Sequence, residues 1–191
     1  MTQEIADFIV QIFGSNALLA TFLLALFPVI ELKGAIPFGM SISFWGENAL
    51  SSWSALGIAF LGSSIIIPLV ALIFRPIIKW LENYKFFQKI VSFVTDDIKN
   101  TSTIINSYNA KTETRKTLLK MLAVLIFVSF PVPLTGIWSG TCFGILLHLD
   151  FWQIFLSVLI GNFICGLIDT FVCMIFPSST TIILYVFISL L

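Results

Sequence analysis

Two hydrophobic stretches of this chain stop at polar, proline-rich sequence before they are long enough to cross a membrane. Residues 17–30 and 118–130 are 14 and 13 residues long, and the tripeptide Phe-Pro-Val lies at the end of each. A helix that spans a bilayer needs about 20 apolar residues. We therefore expect a re-entrant helical hairpin in each half of the chain. Interrupted apolar segments at matching positions in two halves are typical of transporter binding sites.

Composition places the chain among integral membrane proteins. It is 58% apolar and 10% charged, with a mean hydropathy of +1.04, whereas soluble domains average about 25% charged residues. Nine of the ten Lys and Arg residues lie between Arg75 and Lys120. Because Lys/Arg-rich loops stay in the cytoplasm, we expect residues 75–120 to be cytoplasmic in a multi-pass protein of the cell membrane. This basic segment indicates orientation and contact with lipid headgroups rather than nucleic-acid binding.

The predicted fold class is an all-α integral membrane protein with a single membrane domain. We expect an interfacial helix, then two repeats that each contain a re-entrant hairpin followed by a long transmembrane helix. An amphipathic cytoplasmic helix and a polar connector separate the repeats, and a short apolar tail follows the second. The predicted segments are residues 1–15 (interfacial helix), 16–75 (first repeat, hairpin 16–45), 76–117 (amphipathic helix and connector), 118–177 (second repeat, hairpin 118–149) and 178–191 (apolar tail).

Corresponding positions of the two halves lie about 100 residues apart. Pro28 and Pro131 are separated by 103 residues, and Trp53 and Trp152 by 99. If the basic segment is cytoplasmic, the first hairpin enters from outside and the second from inside, so the repeats are inverted. That is a known transporter plan, with the site near the midplane. The alternative for residues 16–45 is one long, kinked spanning helix.

We also predict a homodimer. A chain of 191 residues with two hairpins has little protein to shield its polar tips from lipid. Small residues let membrane helices approach closely, and the small-residue faces Gly57/Gly62 and Gly161/Gly166 are the predicted contact.

The first interruption carries two charges, Glu31 and Lys33, and includes Gly34 and Pro37. We expect residues 31–37 to form an irregular tip. An ionisable group at the bilayer centre costs at least about 2.5–3.5 kcal/mol, so it should face a cavity and have a partner. Glu31 is predicted to exchange protons, and Lys33 to hold an anionic or phosphate group. The alternatives are a structural salt bridge that closes the tip and a pair of charges in the headgroup region.

The second interruption, predicted as a tip at residues 131–140, carries no charge. It offers backbone groups, hydroxyls and an indole N–H that suit coordination of a polar group. Its candidate residues are Pro131, Pro133, Thr135, Gly136, Trp138 and Ser139.

The second long helix adds Asn162 and Asp169 to the predicted substrate- or ion-binding residues. A buried Asp in such a helix is a proton-relay candidate; the alternative is a cap for backbone groups of a neighbouring tip. The sequence has one His and no catalytic or metal-ligand motif. We therefore expect no enzyme activity, no cofactor and no metal.

The motifs Glu31-Leu-Lys33-Gly34-Ala-Ile-Pro37 and Pro131-Val-Pro133-Leu-Thr135-Gly136-Ile-Trp138-Ser139-Gly140 resemble the family of putative small multidrug export proteins, over roughly residues 16–176. That family looks like a distant relative of the DedA group of membrane proteins. The resemblance implies two opposed re-entrant hairpins and proton-dependent translocation of phosphate-bearing lipid carriers. Glu31 matches the acidic position of that group. The second hairpin carries no Arg, which leaves Lys33 as the intramembrane cation.

Three functions stay open at this point. The first is a proton- or ion-coupled flippase for a lipid-linked or amphiphilic, phosphate-bearing substrate. The second is an efflux transporter for small amphiphilic cations, which would prefer the carboxylates of Glu31 and Asp169 to Lys33. The third is a membrane assembly scaffold that transports nothing. The predicted partners are membrane lipids, the transported small molecule or lipid phosphate, protons or ions, and a second copy of the chain.

Overall fold

The computed structural model describes residues 11–14, 16–81 and 111–176, and every regular element in them is helical. The predicted all-α class is therefore confirmed for this part of the chain. The helices are α1 (Ala17–Leu24), α2 (Glu31–Met40), α3 (Ile42–Trp45), α4 (Ser52–Leu81), α5 (Lys111–Ser129), α6 (Ile137–Leu146) and α7 (Phe151–Ile175), and a 3₁₀ turn lies at Gly46–Asn48.

Helices α1 and α2 form the first hairpin. The side-chain oxygen of Asn16 caps α1 by accepting a hydrogen bond of 3.0 Å from the N–H of Leu19. A turn at residues 25–30 follows α1. Gly39, near the end of α2, lies against the side chain of Thr21. The two helices are therefore antiparallel.

The prediction of an irregular tip at residues 31–37 is wrong, because these residues form the first two turns of α2. Every residue of α2 except Met40 is buried, and Pro37 lies inside the helix. Irregular backbone at that depth would leave several N–H and C=O groups without partners. A proline in a helix costs about 3 kcal/mol, which is less than those losses together. The break falls earlier, in the turn at residues 25–30.

Helices α5 and α6 form the second hairpin, with a loop at residues 130–136 that we call the second loop. The rings of Phe127 and Phe143 lie 5.3 Å apart. Further from the loop, Lys120 Nζ donates a hydrogen bond of 2.9 Å to the carbonyl oxygen of Leu147. These contacts show that α5 and α6 are antiparallel.

Helix α5 begins at Lys111, so the last part of the predicted polar connector is helical. Helix α6 begins at Ile137, so Trp138 and Ser139 of the predicted second tip lie in its first turn. Most of the predicted interfacial helix (1–15), most of the predicted amphipathic helix and connector (76–117), and the apolar tail (178–191) lie outside the described residues. Helix α4 continues to Leu81, so the predicted boundary after residue 75 does not end it.

Helices α4 and α7 are the two long elements. Residues Ser52–Trp80 of α4 and Phe151–Ile175 of α7 are long and apolar enough to cross a membrane. The rings of Phe60 and Phe163 are 5.3 Å apart, and those of Trp53 and Phe171 are 6.1 Å apart. The two helices therefore pack side by side in opposite directions.

The surface of this part of the chain is apolar, whereas its interior contains polar and charged groups. Leu72 is 77% exposed and Lys33 only 2%. This distribution suits a lipid environment, in which ionisable groups face the interior of the bundle. The buried polar and charged residues are Thr21, Glu31, Lys33, Ser41, Ser63, Thr141, Ser157, Asn162, Asp169 and Thr170.

The hairpins lie at opposite ends of α4. The base of the first hairpin is at the Ser52 end, because the N–H of Leu50 donates a hydrogen bond of 2.8 Å to the carbonyl oxygen of Gly39. The base of the second is at the other end, where Arg75 Nη2 donates a hydrogen bond of 2.9 Å to the carbonyl oxygen of Leu149. The closed ends of the two hairpins meet between these bases.

Several glycines allow close packing between helices of the described part of the chain. A Cβ at Gly62 would lie 2.6 Å from the carbonyl oxygen of Phe22, and one at Gly161 would lie 2.7 Å from that of Leu125. A Cβ at Gly166 would meet Leu56 and Leu32, whereas Gly57 faces open space. Three of the four glycines predicted at a dimer contact are thus already covered, and the predicted dimer would need another face.

Candidate functional site

The buried charges at the start of α2 reach across to the second hairpin. Glu31 is the first residue of α2 and Lys33 the third, so both lie beside the turn where the first hairpin closes. Their side chains are 4% and 2% exposed. Each finds its hydrogen-bond partners about 100 residues away along the chain.

Lys33 binds the second loop. Its Nζ donates hydrogen bonds of 2.8 Å to the carbonyl oxygen of Val132 and to Thr135 Oγ1. The second loop follows the C-terminus of α5, where carbonyl groups lack partners within the helix and the helix dipole is negative. The ammonium of Lys33 therefore lies just beyond the end of α5 that favours positive charge. The carbonyl oxygen of Val132 also accepts a hydrogen bond of 3.3 Å from the N–H of Thr135.

Glu31 binds the other side of the same loop. Its Oε1 accepts a hydrogen bond of 3.2 Å from the N–H of Trp138, in the first turn of α6. The carboxylate lies so close to Gly136 that a Cβ there would overlap it. A helix N-terminus has unpaired N–H groups and a positive dipole end. Glu31 thus caps α6 from the opposite half of the chain.

These contacts differ from the roles predicted for Glu31 and Lys33. The sequence suggested that Glu31 and Lys33 would either act on a substrate or close their own tip as a salt bridge. In the structure, the two residues bind the two sides of the second loop. The backbone of Glu31 is in the left-handed region, with φ +48°, and so is Leu134 of the second loop, with φ +72°. Such conformations are unfavourable for non-glycine residues, and they often lie at functional sites.

Asp169 and Cys165 of α7 complete the buried cluster. They lie one helical turn apart, and the carboxyl group of Asp169 interacts electrostatically with Lys33. Asp169 is 4% exposed. Its Oδ2 is buried and has no hydrogen-bond partner among the described residues. An unpaired buried carboxylate oxygen is costly, which marks Asp169 as a group available to a proton or a ligand.

Asn162 lies apart from this cluster. Its Nδ2 donates a buried hydrogen bond of 2.8 Å to Ser63 Oγ, which joins the middle of α7 to the middle of α4. The geometry therefore places Asn162 in a link between the two long helices.

The other predicted residues shape the backbone. Gly34 donates its N–H to the carbonyl oxygen of Ile30 at 2.9 Å, and Pro37 is buried inside α2. Pro131 and Pro133 lie in the second loop. Ser139 Oγ donates to the carbonyl oxygen of Leu134, which ties the loop to α6. The substrate-binding role assigned to these residues stays a prediction.

Trp138 takes part through its backbone N–H, whereas its indole was the predicted group. The Trp138 ring is partly buried and meets the ring of Phe74 edge-on, with centroids 6.4 Å apart. The contribution of this residue to the cluster is the N–H that Glu31 binds.

Sequence reasoning missed an apolar cavity beside Thr135. The cavity has a volume of about 520 Å³, and we call it the aromatic cavity. Its only polar side chain among the described residues is Thr135. Apart from Thr135, which was a predicted site residue, its lining residues look like ordinary lipid-facing or packing residues in the sequence, so no signal could have singled them out. They are Ala123, Ile126, Phe127, Phe130, Val132, Thr135 and Phe143.

One protein-family model matches this chain over residues 31–168, and its description is "Putative small multi-drug export protein". The match begins at Glu31 and includes the second loop and most of α7. Comparisons with curated proteins and with solved structures find no match.

Proposed function

Because this chain belongs to that family of small multi-drug export proteins, we propose that it is a membrane transporter that exports amphiphilic aromatic cations in exchange for protons. Its membership of an export family and its two long apolar helices support a membrane transporter in general. The proposal of cation–proton exchange rests on the position of the aromatic cavity. Only the side chain of Thr135 separates this cavity from Lys33, which belongs to a buried cluster with more acidic than basic groups.

The aromatic cavity suits the apolar body of a small amphiphile. Its volume of about 520 Å³ lies within the range of about 300–1,000 Å³ that is usual for small-molecule sites. Three Phe rings line it, and aromatic faces attract cations as well as apolar groups. Thr135 lines the cavity and also accepts the hydrogen bond of Lys33. A ligand in the cavity would therefore lie next to the charged cluster.

The charges of the cluster favour a cation or a proton over an anion. Lys33 interacts electrostatically with the carboxyl groups of Glu31 and Asp169, so one ammonium faces two acids within the described residues. Lys33 also donates two hydrogen bonds to the second loop. A phosphate would have to displace both acceptors and then sit beside two acids. The phosphate-bearing substrate expected from the DedA resemblance therefore has less support here than a cation.

Proton coupling would act through the contact between Glu31 and α6. A proton on Glu31 would remove the negative charge that caps the N-terminus of α6, and the second loop would bind less tightly to the first hairpin. Loosening of that loop would expose Asp169, whose Oδ2 has no partner among the described residues, to the aromatic cavity. A cation and a proton would then compete for the same carboxyl groups, which is the basis of exchange.

The arrangement of the helices supports an inverted repeat. Gly62 of α4 packs on the backbone of Phe22, and Gly161 of α7 packs on the backbone of Leu125. Gly62 and Gly161 are 99 residues apart, and Phe22 and Leu125 are 103 residues apart. These are the two offsets that the sequence predicts between the halves of the chain. Ser63 and Asn162, also 99 residues apart, bind each other, as equivalent residues on a pseudo-twofold axis would do. We propose that both hairpins are re-entrant, because α1 and α2 of the first hairpin and α6 of the second have only 8, 10 and 10 residues and so measure about 12–15 Å.

The proposal is tested in proteoliposomes with ethidium as an aromatic cation, with and without a pH gradient. Ala123→Trp should fill the aromatic cavity and abolish ethidium binding and transport. Leu122→Trp is the matched control, because Leu122 is 51% exposed and does not line the cavity. Glu31→Gln keeps the shape of the side chain, and we expect it to bind ethidium but to lose the response to the gradient.

Two results would count against this function. Equal transport by Ala123→Trp and Leu122→Trp would remove the cavity from the pathway. An unchanged gradient response in Glu31→Gln would remove the proton-coupling role and leave Glu31 as a structural cap. If the folded wild-type protein moves no ethidium with or without the gradient, the scaffold function is the better description.

A further inference from the structure

A second cavity system lies at the far end of α4, away from the charged cluster. It consists of two adjoining cavities of about 430 and 260 Å³ that share Arg75 and Lys79. We call the two together the basic groove. None of its residues belongs to the transport site proposed above.

One part of the basic groove is cationic. Arg75 donates one N–H to the carbonyl oxygen of Leu149 at 2.9 Å, and a guanidinium has five N–H donors. Lys79 is exposed. Asp150 also lines this part, but its carboxylate accepts the backbone N–H of Gln153 in the capping box of α7. The positive charges of Arg75 and Lys79 therefore exceed the negative charge that faces them.

The other part of the groove is apolar. The side chains of Ala71, Leu72, Pro76 and Phe151 line it, next to the same two cations. Leu72 is 77% exposed, so this wall faces the surroundings of the helix bundle. A hydrocarbon chain on these residues would place an attached anionic group between Arg75 and Lys79.

We propose that the basic groove binds one anionic phospholipid, with its phosphate at Arg75 and Lys79 and an acyl chain along the apolar wall. The Lys/Arg distribution predicts that this end of α4 is cytoplasmic. The cytoplasmic leaflet carries anionic lipids, and basic pockets between membrane helices on that side bind their headgroups. The bound lipid would hold the ends of α4 and α7 together, because the groove joins α4 to Asp150 and Phe151.

The test uses the delipidated full chain in mild detergent, with bound lipids counted by native mass spectrometry. The probes are dihexanoyl-phosphatidylglycerol, dihexanoyl-phosphatidylcholine and inorganic phosphate. We expect the phosphatidylglycerol to bind most tightly. Lys79→Gln should weaken the binding of phosphatidylglycerol about fivefold, because one basic residue near an anionic membrane surface strengthens binding by about that factor. Arg75→Gln should weaken binding at least as much.

Arg115→Gln is the matched control, because it removes one positive charge from an exposed residue that does not line the groove. Lys79 has no hydrogen bond to the fold among the described residues, so Lys79→Gln keeps the test valid if Arg75→Gln fails to fold. Equal binding of both lipids, or equal losses in Lys79→Gln and Arg115→Gln, would overturn the proposal. Inorganic phosphate binding as tightly as the lipid would refute the acyl-chain contact. A groove that binds none of the probes would also refute the proposal.

Discussion

Replacing Gly136 with Ala should detach Glu31 from the N-terminus of α6. A Cβ at position 136 would overlap the Glu31 carboxylate, so the carboxylate would have to leave the N–H of Trp138, which it binds at 3.2 Å. A hydrogen bond to a charged group contributes about 1.5–3 kcal/mol. We therefore expect Gly136→Ala to lower the free energy of unfolding by about 2 kcal/mol.

A double-mutant cycle tests whether this cost comes from Glu31. Glu31→Ala removes the carboxylate and leaves room for the new methyl group at position 136. In that background, Gly136→Ala should change the free energy of unfolding by less than about 0.5 kcal/mol, which gives a coupling energy of about 1.5 kcal/mol or more. The cycle measures the contact between the two halves of the chain directly.

The measurement is equilibrium unfolding in mixed micelles with increasing sodium dodecyl sulfate, followed by tryptophan fluorescence. Gly57→Ala is the control for a glycine-to-alanine change in this protein, because Gly57 faces open space, and it should be neutral or slightly stabilising. Equal costs of Gly136→Ala in the wild-type and Glu31→Ala backgrounds would show that the carboxylate does not bind at Gly136 and would refute the cap.

Two further predictions concern the interior. Asp169→Asn removes a buried charge whose Oδ2 lacks a partner among the described residues, so unfolding titrations should show a free energy of unfolding higher by about 1 kcal/mol. Gradient-driven transport in proteoliposomes should be lost. A clear decrease in the free energy of unfolding would instead make Asp169 a structural partner of Lys33. Gly62→Ala and Gly161→Ala each push a Cβ onto a backbone carbonyl and should cost about 1–3 kcal/mol in the same titration; a cost no greater than that of Gly57→Ala would contradict the close helix packing.

The second long helix was predictable because local signals mark it, whereas α4 continues through Pro76 to Leu81, past the predicted end of the first repeat at residue 75. The sequence predicts a long helix between the second hairpin (118–149) and the end of the second repeat at residue 177, and α7 is Phe151–Ile175. Asp150 and Gln153 form a capping box at its start, and Pro177 follows its end. Apolar length and terminal signals are properties of neighbouring residues, so a single sequence contains them.

The first turn was misplaced because tertiary burial outweighs local propensity. Two charges, Gly34 and Pro37 made residues 31–37 look irregular. In the fold, these residues lie among packed helices, where a helix satisfies more backbone groups than any irregular path. The turn instead takes residues 25–30, including Pro28.

The composition of the buried cluster was partly predictable, but its pairing was not. Ionisable residues in apolar segments stand out, so Glu31, Lys33 and Asp169 were found. The contacts of Glu31 with Trp138 and Gly136 depend on how two hairpins pack, and no local signal encodes a contact 107 residues away. The same reason explains why the aromatic cavity was missed.

The binding of the second loop by Glu31 and Lys33 of the first hairpin has a consequence for how the protein is made. Lys33 leaves the ribosome 102 residues before its partner Thr135, so both charges of the first hairpin are synthesised long before the groups that bind them. Each unpaired charge at bilayer depth costs at least about 2.5–3.5 kcal/mol. If the first hairpin is re-entrant, as proposed, it therefore has no stable deep position until the second loop is translated, and its final insertion should follow the synthesis of that loop.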